Sequence, residues 1–456
     1  MVHVRQCMND KTLTSASPVP KSRTSRLLSM GGLATKLAGN VLTEGSKRWI
    51  KGEAPSLNEL VLTPKNMGDV ADKLARMRGA AMKLGQLLSM DAGTLLPPEL
   101  AAVLSRLQSQ GVIMPKTQLI NTLESSWGSD WMDQFIYFSF DPIAAASIGQ
   151  VHKARTLDNN ELAIKIQYPG VAQSIDSDID NVISLLRLSG LLPKELEIDD
   201  LVDEARRQLH LEADYHAESR HLNEFASKIS NFRINNDLLM PTYFPELSQT
   251  NIMAMRYLNG VGIEQWLNAH PESSSHIMGL MLELFFTELL HMHLMQTDPN
   301  PANFHICPET GKLILFDFGA VRAFNPQFVS RYKQAIDQAI DQNRAGLESA
   351  LEALGFFKNG TDVANKAAVV DIFTIAAEPL RSKEPYHFGK SEIAKRIHDI
   401  GMSVSKDPDA WHTPPADVLF LHRKMAGLYL MAAKHNAVVD TRSIYQQIGA
   451  HPSLVL

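Results

Sequence analysis

The chain has 456 residues, 45% hydrophobic and 21% charged, an ordinary globular composition with length for two or three domains. A net charge of −6 argues against a nucleic-acid-binding protein, whose footprint would be a basic domain. With only Cys7 and Cys307 there is no disulfide framework, and a reducing compartment is expected.

The N-terminal text "MVHVRQCMNDKTLTSASPVPKSRTSRLL" is basic and rich in Ser and Thr. It reads equally as a transit peptide, against which Asp10 and the prolines count, or as a tail leading into a first helix. It lacks the apolar core of a secretory signal. Gly31 to Gly52 reads as a small amphipathic helix with a basic end. Such a helix can pack on its own domain or dock on a partner or membrane surface. Gly52 to Pro64 has linker composition. From Met67 to Met90 a helix is expected, because Val70, Leu74, Met77, Ala81, Leu84 and Leu88 recur on one face. Lys83 and Gln86 lie on the opposite side. Gly85 costs such a helix about 1 kcal/mol relative to Ala, which implies close packing there. "LPPEL" begins further helical text that runs to about Trp131.

The periodicity then shortens. Phe135 to Tyr168 is β-rich, with a hairpin formed by "SIGQVHKAR", a turn at "LDNNE", and "LAIKIQY". Lys194 to Met240 has neither Gly nor Pro and is mostly helical in pattern. "TNIMAMRYLNG" reads as a strand closed by an Asn-Gly turn. Ile277 to Met295 is strongly apolar, but Glu283 and Glu288 interrupt it, so a buried core helix is expected rather than a membrane span. "HICPETGKLILFDFG" reads as a hairpin in otherwise helical text. The domain boundaries that follow are 1–52 for the tail and first helix, 53–134 for a helical extension, 135–258 for a small sheet-containing lobe, and 259–456 for a helical lobe. Ligand sites favour the interface between such lobes, so chemistry is expected there.

One constellation carries chemistry. In "MQTDPNPANF", Asp298 and Asn303 stand five residues apart, and "FDFG" places Asp317 one predicted hairpin later. Phosphoryl transfer in protein kinases uses this order: an Asp that orients the attacking hydroxyl, an Asn on magnesium, and the Asp of D-F-G on the nucleotide's metal. "LAIK" ends at Lys165 and is similar to the kinase strand whose lysine grips phosphates. Strand alternation points Lys165 away from Ile164 and Ile166. Kinases need one helical Glu to pair with that lysine, and "LEADYHAE" offers Glu212, Asp214 and Glu218. The phosphate loop is unusual. "AAASIGQVH" puts Ala144, Ala145, Ala146 and Ser147 where a kinase has glycines, so this loop cannot follow the usual path.

With these residues in place, the sequence resembles the UbiB (AarF-domain) family of atypical, protein-kinase-like proteins associated with coenzyme Q biosynthesis. The resemblance rests on "KLGQ" (Lys83 to Gln86), "AAAS" (Ala144 to Ser147), "EAD" (Glu212 to Asp214), "MQTDPNPANF" and "LFDFGA", with local support from "IQYPGVAQSI" and "LHRKMAGLYL". It covers roughly Arg26 to Val439 and is closest to the branch of mitochondrial coenzyme Q proteins. It implies an α+β, protein-kinase-like two-lobed fold with a family-specific N-terminal helical extension. It further implies Asp298 as catalytic Asp, Asn303 and Asp317 on Mg2+, and Lys165 on ATP or ADP with Glu218 as partner. Ala144 to Ser147 and Met255, Arg256 and Tyr257 would meet the nucleotide, the last three at the adenine. Lys83, Gly85 and Gln86 would face Glu212 and Asp214, and Glu212 and Glu218 remain interchangeable at this stage.

No A-P-E follows the D-F-G, so a platform for a protein substrate is not expected. Beyond Val439 no transmembrane pair is legible. The reading is therefore an ATPase or small-molecule or lipid phosphotransferase supporting ubiquinone biosynthesis. Its expected partners are nucleotide, ubiquinone-biosynthesis enzymes or quinone precursors, and peripheral membrane. Its expected location is cytoplasmic or peripheral to the inner membrane, or the mitochondrial matrix in a eukaryote. The alternatives are a nucleotide-switched scaffold and, less favoured, a true protein kinase.

Overall fold

The computed structural model describes residues 113–188, 199–357, 361–404 and 415–450, with scattered positions between 39 and 85. The tail, nearly all of the first helix and linker, the "LPPEL" helix and Gln86 lie outside the described residues. Contacts divide the chain into two compact units, Met1–Ser219 with Thr242–Tyr257, and Arg220–Pro241 with Leu258–Leu456.

Along the chain, α1 (Lys116–Trp127) precedes strands β1 (Phe135–Ala145), β2 (Gly149–Thr156) and β3 (Glu161–Gln167). Three helices follow: α2 (Val171–Leu188), α3 (Asp199–Glu212) and α4 (Tyr215–Ile229). Short strands β4 (Leu238–Leu239), β5 (Ile252–Arg256) and β6 (Val261–Gly262) lead to helices α5 (Ile263–Ala269) and α6 (Ser274–Thr287). Then come β7 (Leu294–Gln296), β8 (Phe304–Ile306), β9 (Leu313–Leu315) and β10 (Val321–Ala323). The C-terminal helices include α7 (Pro326–Ile340), α8 (Arg344–Ala353), α9 (Val363–Ala376) and, after 415, α10 (Ala416–Lys434).

In the first unit, β1, β2, β3 and β5 form an antiparallel sheet in that order. Pro142 cannot donate to a ladder, and it sits on β1, an edge strand with register shifts on both sides of it. One face of the sheet buries Leu162, Ile164, Ile166, Ile252 and Ala254 against Leu119 and Leu123 of α1 and against Trp131, Phe135 and Phe138. Full burial of each large apolar side chain contributes about 1.5–3 kcal/mol. The β2–β3 turn places Asn159 at φ 64, a left-handed position that Asn tolerates.

The second unit holds the mixed sheet β4-β9-β8-β6 and the separate antiparallel pair β7–β10. The "HICPETGKLILFDFG" hairpin forms as expected from β8 and β9. Two expectations fail. The apolar helix does not run to Met295. It ends at Thr287, continues as one wider turn over Glu288–Met292, and stops at His293, whose φ is 49. Leu294 to Gln296 are all buried, and a continuous apolar run has no period that separates strand from helix. Pairing with Val321–Ala323 decides for strand. Nor does Asn259-Gly260 close a hairpin: β5 pairs with β3, while β6 pairs with β8. A type I′ turn needs positive φ at both residues, and neither has it. Gly260 is instead required for packing, since a Cβ there would lie 2.7 Å from Ile314 Cδ1 and 2.9 Å from His305 Cβ.

Candidate active site

Lys165 lies on β3, which is paired on both sides, opposite Val151 of β2 and Met253 of β5. An interior strand holds its backbone rigidly, and alternation sends its side chain away from Ile164 and Ile166. Its ammonium donates to both carboxylate oxygens of Glu218, at 2.8 and 2.7 Å. Glu218 is 1% exposed, so this cation compensates a charge that water does not reach. Glu212 makes a different pair. It accepts from Lys83, which is itself 1% exposed, and from the Ser147 hydroxyl at 2.6 Å. Geometry thus separates the two carboxylates that the sequence left interchangeable. Burial pushes the Glu212 carboxyl up, but Lys83 and Ser147 outweigh it and hold the group below its ordinary value.

Asp214 Oδ1 accepts the Ala217 N–H and so caps the first turn of α4. Gly85 is buried, and a close approach to the alanine loop occurs one helical stretch earlier. A Cβ on Gly79 would stand 2.8 Å from Ile148 Cγ2 and 3.4 Å from Ser147 O. The loop is extended: Ala144 pairs with Val151, Ala145 with Gln150, and the Ala146 N–H donates to Gly149 O at 2.8 Å. None of Ala144, Ala145, Ala146 or Ser147 has positive φ, so the loop departs from a glycine-type cradle.

Met255 is buried opposite Ala163, while Arg256 is exposed. The Arg256 N–H donates to Thr242 O and the Tyr257 N–H to Glu161 O, and Lys153 sits 4.0 Å over the Tyr257 ring.

The second unit carries the acidic residues. β7 delivers the chain to Thr297, whose N–H and Oγ1 both donate to Ala320 O at 2.8 Å. That anchor ties the Asp298 loop to the segment just after D-F-G. Asp298 Oδ1 accepts the Asn300 N–H at 3.2 Å and lies 3.6 Å from Arg423 Nη2. The β8–β9 register pairs Phe304 with Leu315, and the Phe316 N–H donates to Asn303 O at 3.4 Å, so Asn303 and Asp317 leave adjacent strand ends. Asp317 Oδ1 accepts the Gly319 N–H at 2.8 Å. Phe318 is buried against Phe225, with ring centroids 5.2 Å apart, and its carbonyl accepts from His221 Nδ1.

Helix α10 backs this loop. Besides Arg423, it offers Lys424, fully buried in a pair with Glu288, and Gly427, where a Cβ would lie 2.6 Å from Pro299 Cβ. Burial pushes Glu288 up to about 7 even with Lys424 beside it, and pushes Lys424 down. Neither Arg423 nor Lys424 is among the residues expected at this site from the sequence. Two cations in succession inside "FLHRKMAGLYL" were the available signal.

The residues fit a magnesium ion. Asp317 and Asn303 carry hard oxygens, and among the described residues the buried Asn303 amide nitrogen has no hydrogen-bond partner. Among the described residues no group of three or more His, Cys, Asp and Glu could hold a metal. Magnesium commonly takes one or two protein oxygens and completes its shell with phosphates and water.

A model of the ABC1 atypical kinase-like domain matches residues 106–351, more than half of the 456-residue chain. The chain belongs to this family. The ABC1 family and the UbiB resemblance drawn from the motifs are one assignment. The chain is 34% identical over 444 residues to "Atypical kinase COQ8, mitochondrial" of Saccharomyces cerevisiae, covering 97% of this chain and 87% of that protein. It is also 34% identical over 447 residues to "Atypical kinase coq-8, mitochondrial" of Caenorhabditis elegans, covering 96% of this chain but only 58% of that protein. Among solved structures, a complex of Rv3197 with erythromycin from Mycobacterium tuberculosis matches with TM-score 0.58 and 25% identity, over 83% of this chain and 94% of that one. The fold of this ABC1-family chain is α+β and kinase-like. Among its described residues no helix is long and apolar enough to cross a membrane.

Proposed function

We propose that this ABC1-family chain binds ATP or ADP with magnesium and either hydrolyses ATP or transfers its phosphoryl group to a small or lipid-pathway molecule, in support of ubiquinone biosynthesis. The observation that carries the reading is the two-donor grip of Lys165 on Glu218 from an interior strand. Kinases use that pairing to fix the lysine that meets the α- and β-phosphates. Asp298 orients the attacking hydroxyl or water, and Asn303 and Asp317 hold magnesium. Magnesium held there would supply charge neutralisation at the phosphate oxygens. Met255, Arg256 and Tyr257 meet the adenine. The amides of Arg256 and Tyr257 are committed within the sheet, so carbonyl oxygens are the groups left to accept from it.

Lys83 and Glu212 tie the KxGQ helix to the end of the alanine loop through Ser147. Together with the missing A-P-E, this favours a small acceptor over a protein one. Similarity to two mitochondrial COQ8 atypical kinases supports a mitochondrial setting, in the matrix or peripheral to the inner membrane, and with the family resemblance it favours ubiquinone-biosynthesis enzymes or quinone precursors as partners.

The test is ATP turnover by the full chain with lipids and quinone precursors, beside an Asp298→Asn control. Turnover that one acceptor class stimulates and Asp298→Asn abolishes is expected. Tight nucleotide binding with no turnover for any acceptor would replace this reading with the switched scaffold.

A further inference from the structure

Tyr215 opens α4 three residues before Glu218, so the two side chains share one face of the helix. The tyrosine is 1% exposed, and its ring lies 5.0 Å from the Lys165 ammonium. Among the described residues its hydroxyl has no hydrogen-bond partner. A buried phenol normally finds one, and leaving it unpaired costs stability. The phenol stands among Lys165, Glu218 and Glu212, and burial, the largest influence on it, keeps it protonated. The space beside it is defined on the other side by Gly149. A Cβ there would lie 3.0 Å from the Tyr215 hydroxyl and 2.3 Å from Ile166 O.

The hydrogen-bond accounting suggests when the hydroxyl is used. Lys165 now gives two donors to Glu218, a carboxylate that is 1% exposed. An ammonium has three N–H donors, so contacts to both the α- and β-phosphates take at least one donor from Glu218 while the pair persists through the other, and that loss at a buried charge must be compensated. Tyr215 holds an unspent O–H on the same helix face. We propose that Tyr215 is the positioning residue of the nucleotide lysine: its ring is the platform for the ammonium, and its hydroxyl donates to Glu218 when Lys165 engages a nucleotide. This inference rests on the reading of Lys165 as a phosphate ligand.

Tyr215→Phe keeps the ring and removes only the hydroxyl. Melting temperature without nucleotide should rise, because an unpaired buried polar group has gone. Affinity for magnesium-ATP and magnesium-ADP should fall about tenfold, the scale of a hydrogen bond to a charged group. A variant that was merely damaged would lose both quantities together, so the opposite signs mark a positioning role. Tyr215→Leu, which also removes the platform, should lower both. Wild-type affinity for both nucleotides in Tyr215→Phe, or a fall in its melting temperature, would overturn the proposal. Lys165→Met separates the two levels: normal nucleotide binding by that variant would end the phosphate reading itself, whereas normal binding by Tyr215→Phe alone ends only this inference.

Discussion

A lysine with 1% of its surface exposed survives at position 83 because Glu212 lies against it. Removing Lys83 leaves Glu212, whose side chain is 17% exposed and keeps the Ser147 hydrogen bond, without its cation, at a cost of up to roughly 3 kcal/mol. Lys83→Met should therefore lower the urea midpoint clearly, and Glu212, held down mainly by Lys83, should rise in pKa. An unchanged midpoint would mean that the pair contributes nothing. His152 makes a second prediction. It is buried, its Nδ1 donates to Ser139 O at 2.7 Å, its Nε2 accepts from Gln150, and desolvation pushes it down to about 4. The unfolded chain then binds more protons than the folded one between pH 6.5 and 4. Stability from this group is complete above 6.5 and is lost as pH falls through that window, up to about 3 kcal/mol. Urea titrations across the window should show this slope, and His152→Asn should flatten it. Among single residues, the pairing of Lys165 with a helical Glu was legible because phosphoryl-transfer chemistry constrains local spacing, and the proposed roles of Asp298, Asn303 and Asp317 rest on the same spacing. Arg423 was not legible, since nothing in a sequence ties it to Asp298, 125 residues earlier.

At the level of elements, α10 acts as the backing of the Asp298 loop through Arg423, Lys424 and Gly427. Gly427→Ala would drive a methyl group to 2.6 Å from Pro299 Cβ, and the loop must move to relieve it. Displacements near 1 Å can cost about a hundredfold in rate. Turnover of Gly427→Ala should thus fall at least about tenfold while magnesium-ATP affinity is retained, as kcat and Kd measured in parallel would show. Equal loss of both would point to general damage instead. The "LHRKMAGLYL" stretch of this helix supports the family resemblance but carries no role at the loop when read as sequence, because an apolar pattern reports burial without saying what is buried against it. The Asn-Gly step at 259–260 was misread for a related reason. Turn composition is local, whereas the partner of each flanking strand is not: β3 takes β5 and β8 takes β6.

For the whole molecule, the kinase-like α+β fold was legible from the order of motifs, and family membership follows from the domain match over residues 106–351. In the proposed function, the Lys165–Glu218 pair of the first unit and the Asp298, Asn303 and Asp317 set of the second each serve magnesium-nucleotide chemistry. That chemistry is tested most directly by a thermal-shift titration of the full chain with ATP at fixed magnesium, comparing wild type, Asp317→Asn and Asp298→Asn. Stabilisation by bound ligand grows with the ratio of ligand to Kd, so it reads affinity without requiring turnover. Wild type and Asp298→Asn should both be stabilised, and Asp317→Asn should lose the magnesium-dependent shift. A magnesium-dependent shift in Asp317→Asn equal to that of wild type would contradict the account.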